Sequence, residues 1–149
     1  MNSATSATKV VTKKHKIKLD FKDSTYATGR RKKSIAKIWV KKGSGKIYVN
    51  GKLFNDYFSS EFHHLQITRP FEIIDHATDY DVRCSVKGGG HTGQAGAMVH
   101  GISKALVLID PEFKSTLKTE KLTTRDSRAV ERKKPGRRKA RRSFQFSKR

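Results

Sequence analysis

The stretch from Tyr80 to Ile109 constrains the fold more than any other part of the chain. Tyr80, Val82, Cys84 and Val86 alternate with Asp81, Arg83, Ser85 and Lys87. A period of two marks a strand buried on one face. Gly88-Gly89-Gly90 follows at once. Ala95, Met98, Val99, Ile102, Ala105, Leu106 and Ile109 then recur at helical spacing without a break. A strand that turns through three glycines into one long helix is therefore the centre of the fold.

Gly88-x-Gly90-x-x-Gly93 is a literal GxGxxG. In a dinucleotide-binding fold this loop needs strand, loop, helix, second strand and acidic residue in order. Here the helical pattern runs to Asp110, so no second strand starts where one is needed. Only 39 residues follow Asp110, and 25 of them form a basic tail. That is too little chain for the remaining strands. Packing alone explains some of the glycines, since Gly96 and Gly101 allow close approach. Three glycines before a helix N-terminus also expose backbone N–H groups, which suit an anion.

Charge says which anion. The 149 residues hold 34 Lys plus Arg against 13 Asp plus Glu, a formal charge of +21. Such a chain repels itself unless a polyanion neutralises it, and nucleic acid is the leading partner. The charge is uneven. Residues 1–24 carry net +4, residues 25–124 net +7 and residues 125–149 net +10. This predicts a flexible basic arm (1–24), a globular domain (25–124) and an extended RNA-binding tail (125–149). An anionic membrane is the weaker alternative; no apolar run is long enough to span a bilayer and no basic amphipathic helix with a Trp/Phe face is seen, so no membrane partner is expected. Cys84 is the only cysteine, which excludes an intrachain disulfide and a cysteine-rich zinc site.

The middle segment reads as mixed α and β. Ile35–Val40 suits a strand. Lys41-Lys42-Gly43-Ser44-Gly45 predicts a hairpin, with Lys46–Asn50 returning beside the first strand. Short helices are predicted over Leu53–Phe58 and over Arg69–Asp75, the latter with Pro70 in its first turn. Asp110-Pro111-Glu112 predicts a further helix start, with Asp110 as N-cap. Phe113 and Leu117 share its face. The fold class expected is α+β: a small mixed sheet of about four strands with packed helices and long basic extensions.

Gly88 to Leu106, GGGHTGQAGAMVHGISKAL, resembles the signature of the small-subunit ribosomal protein nine family. Tyr26–Lys32 with Ser34–Ala36 resembles that family's first strand, and Gly45–Gly51 its second. Leu122–Arg128, Val130–Lys134 and Lys139–Arg149 are similar to its tail. The resemblance covers about residues 25–149. The ending Gln145-Phe146-Ser147-Lys148-Arg149 is similar to the bacterial and organellar branch.

The resemblance implies a fold like the second domain of small-subunit ribosomal protein five, with a left-handed βαβ crossover against the usual hand. It implies a structural constituent of the small ribosomal subunit, in a bacterial cytoplasm or a mitochondrial matrix. The body binds small-subunit rRNA in the head, beside other head proteins, and the tail reaches the tRNA in the peptidyl site. Ser147, Lys148 and Arg149 are its candidate tRNA contacts. No catalysis, cofactor, metal or homo-oligomer is implied.

The candidate rRNA contacts form three groups. The first is Arg30, Arg31, Lys32 and Lys33; its bland alternative is a solvated strand entry. The second is Gly88, Gly89, Gly90, His91 and Gln94, where His91 either meets RNA or caps the turn. The third comprises Arg125, Arg128, Arg132, Lys133, Lys134, Arg137, Arg138, Lys139, Arg141, Arg142, Phe144 and Phe146. A solvated charge run would be the plain reading of this tail. Its frequent Arg residues make forked phosphate contacts that Lys cannot. Its two Phe could stack on bases.

His63 and His64 are adjacent and lack the i,i+4 spacing of a helical metal site. No P-loop, GxSxG or acid/base constellation is present. Two alternatives remain: a free nucleic-acid-binding architectural protein, and a nucleotide-dependent enzyme.

Overall fold

Alternation and turn chemistry account for the strands of the computed structural model, which describes residues 21–76 and 78–147. Strand β1 (Thr25–Arg31) and strand β2 (Ser34–Lys42) form an antiparallel hairpin in which Arg31 faces Ser34. Lys32 takes a positive φ of 50° in the turn between them. The segment 26–36, read as one strand from the resemblance, is thus two strands. Ala36, Ile38 and Val40 are buried on one face of β2, as their alternation requires.

Strand β3 (Ile47–Val49) pairs with the two-residue strand β4 (Lys52–Leu53). The short helix α1 (Phe54–Tyr57) follows directly, so the helix expected over Leu53–Phe58 is shorter at both ends. Helix α2 (Glu61–Ile73) comes next, then strand β5 (Tyr80–Lys87). Helix α3 (His91–Ile109) is unbroken, and helix α4 (Phe113–Thr119) closes the described regular structure. The sheet has five strands in the order β1-β2-β5-β3-β4.

That order corrects the hairpin expected between β2 and β3. Strand β5 lies between them, antiparallel to β2 and parallel to β3. The Lys41–Gly45 loop is no tight turn: it wraps around the start of β5. Asp81 Oδ1 accepts the N–H groups of Ser44 (2.9 Å) and Lys46 (3.0 Å), and Gly43 donates its N–H to Asp79 O. A Cβ at Gly43 would run into the Asp81 carboxylate.

The helix placed over Arg69–Asp75 is corrected too. Pro70 lies inside a 13-residue helix instead of opening a short one. Ile67, Pro70, Phe71 and Ile74 are all buried. Burying that stripe outweighs the missing proline N–H, which costs a helical hydrogen bond. Asp110 is not the N-cap of α4. Its Oδ1 accepts the Glu112 N–H (2.9 Å), and the helix begins at Phe113 with Glu112 in the N-cap position.

One face of the sheet is covered by α3, which buries Ala95, Met98, Ile102, Ala105 and Leu106. Helices α2 and α4 pack on α3, with Ile67, Phe71 and Leu117 closing the core. The helix crosses β1 at near backbone contact, where a Cβ on Gly29 would meet backbone atoms of Ala97 and Gly101. The opposite face of β1, β2 and β5 has no described helix over it.

Candidate nucleic-acid interface

The strand-to-helix junction is built around Gly88 and Gly89, whose φ values are +73° and +60°. Left-handed backbone of this kind favours glycine. Neither has room for a Cβ either, because Lys33 O and Ser34 Oγ press against them. Two of the three glycines are therefore demanded by the turn. Gly90 is different. It caps α3 in an extended conformation with open space beside it.

The first intrahelical bond of α3 runs from Gln94 N–H to Gly90 O (2.9 Å). The N–H groups of His91, Thr92 and Gly93 consequently have no acceptor within the helix. They sit at its positive end, where an anion gains most. The loop is held rigidly. Gly88 O accepts from Ser34 Oγ (3.1 Å) and Gln94 Nε2 (3.1 Å), while Gln94 Oε1 accepts from Tyr57 OH (2.9 Å). Asn50 locks the strand end: its Oδ1 accepts the Val86 N–H (3.0 Å) and its Nδ2 donates to Val86 O (3.2 Å).

The junction brings the first two predicted groups together. Lys32 and Lys33 lie in the β1–β2 turn directly against Gly88 and Gly89. The four basic residues of this group do not act as one cluster, however. Strand alternation sends Arg30 to the open sheet face. Arg31 turns the other way, over Gly96 of α3, and its Nη2 approaches Asp126 Oδ2 (3.6 Å).

The third group begins beside the first two. Ala129, Val130, Glu131 and Arg132 line one groove with Lys32, Lys33 and Gly89. Residues 125–147 contain no helix or strand. A local turn forms at Lys134–Arg137, with Gly136 at φ +70°. Glu131 pairs with Lys134 (2.8 Å) and Arg141 (3.0 Å), which holds its carboxyl below the ordinary value. Arg128, and at longer range Arg31, do the same to Asp126.

Exposed ion pairs of this sort contribute little to stability, so phosphates can displace them easily. Arg125, Arg128, Arg132, Lys133, Lys134, Arg137, Arg138, Lys139, Arg141 and Arg142 are exposed along this segment. Arg138 stacks over Phe144 at 5.8 Å, and Phe146 is 88 % exposed. Ser147 is the last described residue; Lys148 and Arg149 lie outside the described residues, as does 1–20 of the predicted arm.

Tyr57, Phe58 and Thr92 had no sequence signal, and they meet two histidines at the junction. His63 Nε2 lies 3.2 Å from Thr92 Oγ1, and His91 packs its ring near Tyr57 and Phe58. Chain folding alone brings them to the start of α3. Among the described residues no cluster of His, Cys, Asp or Glu could hold a metal ion, and no helix is long and apolar enough to cross a membrane.

The fold and this surface define a class: a basic α+β scaffold whose loop, hairpin and tail offer cations and backbone donors to a polyanion. The chain belongs to the family described as ribosomal protein S9/S16, whose model matches residues 29–149. It is 52 % identical over 141 residues to the small ribosomal subunit protein uS9 of Rickettsia typhi, covering 95 % of this chain and 88 % of that protein. The protein of the same name from Rickettsia prowazekii is 53 % identical over the same shares.

Proposed function

We propose that this chain is a structural component of the small ribosomal subunit. In this reading the hairpin turn, the glycine loop and the tail together grip small-subunit rRNA in the head, next to other head proteins. The division into arm (1–24), body (25–124) and tail (125–149) belongs to the same reading. Convergence carries it: Lys32, Lys33, Gly89 and Arg132, from three separate segments, line one groove. The relatives carry the small-subunit name and are bacterial, which favours a bacterial cytoplasm over a mitochondrial matrix.

The mechanism is neutralisation and shape. Lysine and arginine displace counterions from phosphate, and recognition of folded RNA proceeds through backbone and shape. The tail extends the reach: 25 extended residues span at most about 80–90 Å. Ser147, Lys148 and Arg149 at its tip are then the groups that touch peptidyl-site tRNA and help hold the reading frame.

Deleting 147–149 tests the finer claim. Small subunits should assemble and sediment normally, while tRNA retention in the peptidyl site and frame maintenance fall. Unchanged retention and frame maintenance would refute the tRNA role.

A further inference from the structure

The sheet face that no described helix covers carries a further row of side chains, and Phe21 lies at its edge against Lys41. Register places Tyr26 of β1 beside Trp39 of β2, and Trp39 beside Arg83 of β5. The Tyr26 and Trp39 rings are 5.3 Å apart, and the Arg83 guanidinium lies 5.5 Å over the Trp39 ring. Tyr26 is 46 % exposed. The next rows of the same face carry Lys37, then Arg30 and Lys87. Asp81, the acid that alternation assigns to this face, is occupied by the N–H groups of Ser44 and Lys46.

We propose that this face is a stacking platform for an unpaired RNA base. The inference rests on the RNA-binding reading above but concerns a different surface. Two observations choose the occupant. The two rings are inclined by 44°, and with the guanidinium they offer polarisable faces on which a base stacks. The surrounding cations Arg30, Lys37 and Lys87 match the phosphates on either side of that base. Ile35 between Arg30 and Lys87 and Leu53 beyond Tyr48 add exposed apolar area to the same face, but the cations around the aromatic pair favour a phosphate-bearing partner over an apolar protein segment. The Arg30–Lys87 row also leads to the β1–β2 turn and the glycine loop, so one strand of RNA could run from the loop onto the sheet.

Trp39 is the only tryptophan in the chain, so its emission reports this face alone. The full-length protein is titrated with single-stranded octauridylate and with an abasic ribose-phosphate octamer of equal charge. Total binding is followed separately by filter retention. Octauridylate should quench Trp39, and the abasic octamer should bind without quenching. Tyr26→Ala should weaken octauridylate binding about tenfold, in line with stacking measured by alanine substitution, and leave abasic binding unchanged. Arg83→Ala should weaken octauridylate binding in the same direction. Retained protection of the buried Cys84 thiol would verify that each variant is folded.

Retained octauridylate with unchanged Trp39 emission would overturn the platform and leave the loop-and-tail reading standing. Loss of all RNA retention would overturn both. A Trp39 shielded from acrylamide in the free chain, and unshielded when residues 1–20 are deleted, would assign the face to the chain's own arm and overturn the proposal.

Discussion

Replacing Gly29 by alanine tests the packing at the heart of this fold. A Cβ at that position would lie 2.5 Å from Gly101 N and 2.9 Å from Gly101 Cα, and closer still to Ala97 O. Ordinary contact starts near 3.4 Å. Helix α3 would therefore have to retreat by about 1.5 Å to clear Ala97 O, and neither partner is a side chain that can rotate away. A gap of ~0.5–1 Å forfeits a quarter to a half of each dispersion contact along the seam. Overpacking usually costs ~1–3 kcal/mol, and a clash with backbone belongs at or above the top of that range.

We therefore expect Gly29→Ala to destabilise by about 3 kcal/mol, which for a domain of this size lowers Tm by roughly 12–24 °C. Thermal and urea unfolding followed by circular dichroism measure it. Gly96→Ala is the comparison: the nearest atoms its new Cβ meets belong to the Arg31 side chain and not to backbone, so it should cost less than Gly29→Ala. If Gly29→Ala lay within ~0.5 kcal/mol of the parent, as ordinary surface substitutions do, the near backbone contact of α3 and β1 would be wrong.

Three further outcomes follow from single sites. Asn50→Ala removes both side-chain bonds to the Val86 backbone and should cost about 2 kcal/mol in urea unfolding, because two buried-strand groups lose their partners. His100 accepts the Arg30 N–H through Nδ1, and burial, then Lys104 and Arg125, push its pKa below the ordinary 6.5. A depressed value means that the unfolded chain takes up the proton first. This contribution to stability is thus present above pH 6.5 and is lost as pH falls below it, through the folded value. Urea midpoints measured across that range should show the loss, and His100→Asn should flatten it. Finally, removing residues 125–149 should reduce the salt dependence of RNA binding. If about half of its cations sit on phosphate, the log–log slope should fall by about 4.

Much of the architecture was legible because it follows from local periodicity. The alternation over Tyr80–Lys87 matches β5 residue for residue, and the stripe from Ala95 to Ile109 lies on the buried side of α3. Strand order was not legible. Lys41–Gly45 has the composition of a hairpin turn, and nothing local says that β5 will insert beside it; a side chain 37 residues away, Asp81, organises that loop. Pro70 misled for a related reason. As a local signal it opens a helix, and only the tertiary burial of Ile67, Phe71 and Ile74 shows that the helix runs through it.

At the candidate interface, residue types were readable and directions were not. Arg30 and Arg31 are neighbours in sequence, yet a strand sends them to opposite faces. The glycine run has the composition of a phosphate loop, and the backbone assigns Gly88 and Gly89 first to the turn. Tyr26, Trp39 and Arg83 lie 13 and 44 positions apart along the chain, and only the register of three strands places them in one row.

In the proposed function the cationic loop, hairpin and tail grip the RNA of one particle. Crosslinking in cells, followed by sequencing of the RNA attached to the tail peptide 143–149, tests it most directly. Small-subunit rRNA together with tRNA anticodon-loop reads is the predicted result. Scattered RNA or DNA with no ribosomal enrichment would contradict it and would leave the tail a general polyanion binder.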